Sequence, residues 1–481
     1  MAVTTPIYDF LRKHVDKQPI SFHMPGHKGS ELFRKLGYGD FLDHIMDSDI
    51  TEIDGADNLF QTEGIIKDAQ EKYAKLYGVK KSYLLINGTS GGIIASILAS
   101  VNKGKKIIMA RNCHKSVFNA LTLGDIQPVY AYPEMIKEYQ ILGPISPNEI
   151  ERLLQENPDA EAVIFPSPNY YGICSDIKTI ASIVHKYGKI LIVDEAHGAH
   201  LKFSHALPMA AVDAHADIVI NSIHKTLASF TQSAVLHLNS DRVDQYLLED
   251  KLQCIESTSP SYLLMASLDI SASILEEFGE DLMNSWINNL DSFYQQIEGI
   301  SGLKVMNLTK GFDRTKINLS MRDLGLSGSE LEKILMKDYS IFMELNTGDL
   351  VMGMSGIGNT KEDFDRLANA LLEISRNLSK DRLSSMKKNN LQDTSCLKQY
   401  DYTLPKQPQM FELPTIKRLV KLADSDGLIC ASSIIPYPPG IPLICPGERI
   451  DPDAIAYIQA LRASGEKVIG INEFGEVIVG V

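Results

Sequence analysis

The sequence is poor in cysteine and tryptophan, contains no long apolar run, and carries too few positive charges to balance its acids. Each shortage narrows the reading. Six cysteines occur in 481 residues, at Cys113, Cys174, Cys254, Cys396, Cys430 and Cys445, and none forms a Cys-x-x-Cys pair. That spacing argues against a zinc site or a disulfide framework and suits a reducing, cytoplasmic setting. No unbroken apolar stretch of about 18 residues exists, so no membrane span is expected. The first residues, MAVTTPIYDFLRKHVDKQPI, lack the apolar core of a signal peptide. Lys and Arg number 47 against 61 Asp and Glu, a net charge of −14. This balance disfavours nucleic acid or an anionic membrane as a partner and is compatible with a small cationic one. A P-loop is missing too: Gly104-Lys105 and Gly188-Lys189 are followed by Lys106 and Ile190 rather than Ser or Thr. His197 and His200 lack the i,i+4 spacing of a metal-binding helix, so no metal is expected.

What is present is ordinary in bulk and patterned in detail. Hydrophobic residues make up 44% and charged residues 22%, as in soluble globular proteins. Seven short apolar runs, SYLLI, KIIMA, PVYAY, AVIFP, KILIV, DIVIN and SAVLHL, are each followed by a turn or helical stretch. Ile- and Val-rich runs of this length read as strands buried on both faces. Their alternation with helices predicts an α/β fold with a mostly parallel sheet and helices on both faces. In such sheets ligands gather at the carboxyl ends of the strands. INLSM, YSIFMEL and LVMGMS predict further strands of a small α+β domain, where Ser327 and Glu330 have capping-box spacing and Thr360 is placed to cap a second helix. The expected order is an N-terminal segment (1–75) with the loop HMPGHKG, a large domain (76–305), a small α+β domain (306–378), a polar linker (379–400) and a C-terminal domain (401–481). The Pro-rich stretch 435–442 of the last domain reads as rigid and packed on the main body.

Chemistry-bearing residues sit where those strands end. Ser222-Ile223-His224-Lys225 follows DIVIN. A lysine at a buried strand end either reaches solvent or is used covalently, as a Schiff base that removes the ammonium and holds an aldehyde cofactor. Asp194 follows KILIV, 31 residues before Lys225 and so about one strand–helix–strand step away. A carboxylate there can keep a pyridine nitrogen protonated. Asn87-Gly88-Thr89-Ser90-Gly91-Gly92 opens a helix after SYLLI, a turn able to cradle phosphate. Arg111-Asn112-Cys113-His114 follows KIIMA and offers an imidazole able to stack on a flat ring. Each piece alone has an ordinary structural explanation; in this order they form one coherent site.

That order resembles the fold type I pyridoxal-phosphate (PLP) enzymes, and within them the ornithine/lysine/arginine decarboxylase family in its compact bacterial form. HMPGHKG (23–29), NGTSGG (87–92), RNCHKS (111–116), DEAHGAH (194–200), SIHK (222–225), TSPSY (258–262) and PYPPGIPL (436–443) carry the resemblance nearly end to end. It implies that Lys225 holds the cofactor as a Schiff base. Thr89, Ser90, Ser222 and His224 would hold the phosphate, His114 would stack over the ring, and Asp194 would bind the ring nitrogen. His197 would lie near the ring hydroxyl and the Schiff base. Thr258 and Ser259 would reach across an interface, which implies a homodimer or an assembly of dimers with shared sites. The reaction implied is α-decarboxylation of arginine, lysine or ornithine, with arginine favoured, and either Lys225 or His197 returns a proton to Cα. Orientation of the breaking bond would select the reaction. Ala56-Asp57-Asn58-Leu59-Phe60 departs from the relatives' pattern of two acids and a histidine, in a segment expected near the substrate entrance. The nearest rivals are other reactions on the same fold, such as an aminotransferase or an aldolase, and a non-catalytic PLP-binding regulator. An aminotransferase would normally show a small-domain arginine for the substrate carboxylate; Arg322, alone between Lys316 and Lys361, lacks a recognisable motif.

Overall fold

Apolar runs too short to form buried helices have one economical arrangement, side by side in a sheet with cover on both faces. All seven runs do this. The computed structural model describes residues 5–308, 310–386, 415–437, 440–463 and 467–480. Its central sheet comprises β1 (Lys81–Leu85), β2 (Lys106–Ala110), β3 (Gln127–Ala131), β4 (Ala160–Pro166), β5 (Ile190–Asp194), β6 (Ile218–Asn221) and β7 (Ala234–Leu238). Their spatial order is β1-β7-β6-β5-β4-β2-β3. β7 runs antiparallel to β1 and β6, and the remaining pairings are parallel. Every residue of β6 and β7 is buried, which explains why the sequence shows continuous apolar runs rather than alternation.

The smaller sheet is antiparallel, with Lys304–Val305, Lys316–Ser320, Leu350–Met354 and Leu345–Thr347 side by side in that order. YSIFMEL does not form one strand. Ile341–Met343 pairs in parallel with Ile20–Phe22 of the N-terminal segment, and Leu345–Thr347 turns back onto Leu350–Met354. The break falls at Glu344, whose carboxylate accepts the Met24 N–H at 3.0 Å. The N-terminal segment is thereby stitched to the small sheet. The Ser327–Glu330 capping box forms as its spacing predicts. Thr360 and Asp363 make a second reciprocal cap, with the Asp363 N–H donating to Thr360 Oγ1 and the Thr360 N–H to the Asp363 carboxylate. That helix runs from Lys361 to Met386, past the boundary expected at 378. Its continuation SKDRLSSM holds neither glycine nor proline to stop it. The rest of the expected linker, 387–400, lies outside the described residues, as do 401–414 of the C-terminal domain. A 36-residue helix, Tyr262–Ile297, packs against the Lys361–Met386 helix. It carries the sole tryptophan, Trp286, whose Nε1 donates to Ser355 Oγ at 3.0 Å.

The C-terminal unit has its own core, including Cys430, Ile434, Ile450, Ile458, Val477 and Val479. The stretch 440–443 docks on the main body, as the sequence suggested. The Arg111 guanidinium donates to the carbonyls of Pro442 (2.7 Å) and Leu443 (2.9 Å) and to the Glu448 carboxylate (3.1 Å). Pro438 and Pro439 lie outside the described residues. No helix among those described is long and apolar enough to cross a membrane.

Candidate active site

Four strand ends deliver the residues that the sequence singled out. After β1 the chain enters the helix Gly88–Ser100, with Thr89 and Ser90 in its first turn. Gly88 adopts φ +68°, a left-handed conformation that favours glycine. A side chain at Gly92 would strike Leu85 Cδ1 at 2.5 Å, so glycine there lets the helix start lie close on the sheet. After β6, Ser222 immediately precedes the short helix Ile223–Thr226, and its hydroxyl lies 3.2 Å from Thr89 Oγ1. The hydroxyls of the two turns therefore meet beside free helix N–H groups, a suitable anion cradle. His224, in the same helix, is held by its Nδ1 contact with the Ser233 carbonyl at 2.8 Å.

Lys225 Nζ lies 2.9 Å from His197 Nε2, which follows β5. Desolvation pushes the Lys225 ammonium towards its neutral form, against the attraction of Asp194 and Glu344. Desolvation also holds the His197 pKa well below the usual histidine range, and nearby Lys225 and Lys316 lower it further. Nδ1 of His197 is buried without a partner among the described residues. Asp194 is buried, accepts the Ala196 N–H at 3.1 Å, and has a pKa raised by desolvation against the opposing pull of Lys225. Glu195 points elsewhere, onto the Ala211 N–H and the Asn221 side chain. His114 caps the helix Lys115–Gly124 after β2. Desolvation, reinforced by Lys225, holds it neutral with a pKa of about 4. A neutral, mostly buried imidazole is suited to lying against a flat ring.

The sequence reading overlooked several groups. The Tyr170 ring lies beneath Lys225 Nζ, 5.6 Å from its centroid, and 4.3 Å from the His197 ring. A signal existed, because Tyr170 sits in the turn after β4, at the same sheet end as the other residues. HMPGHKG is more than a turn: the Gly26 N–H donates to the His224 carbonyl at 2.6 Å. Lys28 donates to the carbonyls of His23 and Met354, and desolvation pushes its pKa down to about 7. Glu256 braces the cradle by accepting the N–H groups of Ile86 and Asn87. Thr258 and Ser259, by contrast, are exposed on the single chain, with the Ser259 N–H donating to Ser257 Oγ. In the departing segment, the Asp57 carboxylate takes the N–H groups of Glu63, Gly64 and Ile66, and Asn58 takes those of Phe60 and Gln61. Those two side chains are committed to a turn. Phe60 lines a separate cavity of about 270 Å³, together with Gln70, Tyr83, Glu249 and Glu256.

Comparison with known proteins places this site in context. Residues 5–310 match the Orn/Lys/Arg decarboxylase major domain, and residues 401–476 match the C-terminal domain of the same proteins. The chain is 33% identical to arginine decarboxylase of Bacillus subtilis, covering 94% of this chain and 93% of that one. It is 32% identical to arginine decarboxylase of Halalkalibacterium halodurans, covering 97% and 95%. Inducible lysine decarboxylase of Escherichia coli K12 is 25% identical, over 96% of this chain and 77% of that one. Among solved structures, lysine decarboxylase A from Pseudomonas aeruginosa superposes with a TM-score of 0.77 at 19% identity, over 99% and 80%. Alanine–glyoxylate aminotransferase from Nostoc sp. superposes at 0.56 and 13% identity, over 74% and 95%. These two structures share the fold, that of the fold type I PLP enzymes.

Proposed function

The chain belongs to the Orn/Lys/Arg decarboxylase family, and from that premise we propose that Lys225 holds pyridoxal phosphate for the decarboxylation of arginine. It is a PLP-dependent decarboxylase of a basic amino acid. The observation that carries the assignment to Lys225 is its 2.9 Å contact with a neutral His197, with buried Asp194 close enough to act on it electrostatically. The residues present fit the cofactor. A buried carboxylate with a raised pKa needs a cationic partner, and the unpartnered His197 Nδ1 is available to a ligand.

When bound, PLP supplies a cationic ring that accepts the electrons released with CO₂. The protein does the rest. Asp194 would keep the proton on the ring nitrogen. His114 would limit the ring's freedom. Thr89, Ser90, Ser222 and His224, with the N–H groups at the start of Gly88–Ser100, would hold the phosphate. Lys225 would hold the cofactor and release it to the substrate amine, and either Lys225 or His197 would hand a proton to the substrate Cα. Which substrate bond the site holds in the reactive orientation would select decarboxylation over transamination. Thr258 and Ser259 reach the neighbouring site in a homodimer, consistent with their exposure on the single chain. Arginine is favoured because the relatives above 30% identity named here are arginine decarboxylases, whereas the lysine enzyme is more distant.

Purified protein with PLP, incubated separately with arginine, lysine and ornithine, should yield agmatine as the dominant product. Dominant cadaverine or putrescine would correct the substrate. No amine from any of the three, with cofactor visibly bound, would overturn the reading.

A further inference from the structure

Lys316 has no part in the chemistry described so far, yet its environment is extreme. Its side chain is 0% exposed, at the first residue of the small-sheet strand Lys316–Ser320. A buried ammonium is costly unless its protons find acceptors. Three surround Nζ: Asp313 Oδ2 at 2.9 Å, the His197 main-chain carbonyl at 3.0 Å and Thr315 Oγ1 at 3.3 Å. The second of these is the backbone of the residue whose ring touches Lys225.

Asp313, equally buried, accepts the Thr315 hydroxyl at 2.7 Å and faces His200 Nε2 at 3.2 Å. On its other side, His200 Nδ1 lies 3.2 Å from the hydroxyl of Thr226, the residue after Lys225. The second histidine of DEAHGAH is thus part of a polar cluster between domains. The cluster touches the Lys225–His197 pair at two points, the His197 carbonyl and the Thr226 hydroxyl. Its surroundings leave it little room. A Cβ at Gly172 would approach the Asp313 carbonyl to 2.6 Å and Lys316 Cβ to 3.0 Å. The Thr315 carbonyl accepts the Ser355 hydroxyl, which itself accepts from Trp286.

We propose that Lys316 is a positioning residue for the Lys225–His197 pair, held in a buried domain interface by Asp313 and tied to the His197 carbonyl. The proposal rests on the reading of Lys225 as the cofactor lysine. Buried ion pairs add little stability compared with well-packed apolar groups, so registration of the site is the better explanation for keeping one here. The effect on Lys225 itself points the same way: desolvation lowers its pKa, Asp194 and Glu344 raise it, and Lys316 adds to the lowering.

The test uses the full chain carrying Lys316→Met, and Lys316→Met with Asp313→Asn. The single change strands a buried carboxylate and should lower Tm. The double change removes both charges and should recover Tm without restoring the contact to His197. In the double variant kcat is expected to fall by about ten- to hundredfold, with KM within about twofold of wild type. A second readout is independent of turnover. Cofactor-free protein receives PLP, the adduct is trapped with borohydride, and its position is mapped by peptide mass. Capture at Lys225 should slow by at least about fivefold, in keeping with a mispositioned nucleophile. His200→Gln, which leaves both charges in place but disturbs the link to Thr226, should slow capture as well and serves if the other variants fail to fold. Wild-type kcat and capture rate in the double variant, or in His200→Gln if that is the variant that folds, overturn the proposal. An adduct on a different lysine in wild type instead overturns the assignment of Lys225.

Discussion

Replacing Arg111 with methionine should undock the C-terminal unit. The guanidinium is fully buried, over the rings of Phe118 and Tyr130 at 5.5 and 5.3 Å. It bonds two carbonyls and Glu448, which is itself 1% exposed. Methionine preserves much of the stem but leaves Glu448, among the described residues, with the Tyr130 hydroxyl and the Cys445 N–H. Removing one partner of a buried pair costs about 3–5 kcal/mol, a large share of the roughly 5–15 kcal/mol that holds a domain folded. Because the tie joins the C-terminal unit to the end of β2, the loss should fall on docking. Calorimetry should show a separate, earlier transition, and hydrogen exchange should accelerate at residues 440–450. The double change Arg111→Met with Glu448→Met should recover most of the loss, since two apolar groups replace two desolvated charges. A loss below about 1 kcal/mol, the range of surface pairs, or a double variant no better than the single one, would refute the reasoning. Arg111 lies three residues before His114, so PLP retention should weaken with docking.

Three further outcomes follow from the geometry. His197→Phe keeps a ring near Tyr170 but removes the nitrogen at Lys225, and kcat should fall by about a hundredfold or more; steady-state kinetics with retained cofactor absorbance would show it. Gly26→Ala places a Cβ 2.4 Å from the Thr226 carbonyl carbon and 2.6 Å from the Leu227 oxygen. It should cost about 1–3 kcal/mol and release PLP on gel filtration, and a variant that melts and binds like wild type would contradict the close packing. Desolvation lowers the pKa of His237 from 6.5 to about 3. Its stabilising contribution is therefore fully present above pH 6.5 and declines as pH falls towards 3, because the unfolded chain takes up a proton that the folded chain refuses. His237→Phe should flatten that part of the acid limb in urea melts taken across the window, and an unchanged slope would show that the folded protein accommodates the charge.

The central sheet was legible because strands buried on both faces leave continuous Ile/Val runs, and each run became a strand. The strand-end placement of Lys225, Asp194, His114 and Thr89 was legible because a polar residue at the end of such a run breaks the pattern abruptly. What escaped depends on contacts between distant segments. Asp313 and Thr315 are sequence neighbours of Lys316, but the burial of that lysine and its third acceptor, the carbonyl of distant His197, leave no local mark. Tyr170 lay at a readable strand end but carries no charge to draw notice. YSIFMEL reads as one strand because period-2 patterning cannot show that Ile341–Met343 pairs with the N-terminal segment while Leu345–Thr347 joins another sheet. Thr258 and Ser259, read as crossing an interface, are exposed on the single chain.

The most direct test of the central claim follows both products of one reaction. Arginine labelled at its carboxyl carbon, incubated with the PLP-loaded protein, should release labelled CO₂ and agmatine in equal amounts, and Lys225→Ala should release neither while remaining folded. Cofactor-loaded protein that frees no CO₂ from arginine, lysine or ornithine, or a Lys225→Ala variant that works as well as wild type, would contradict the account.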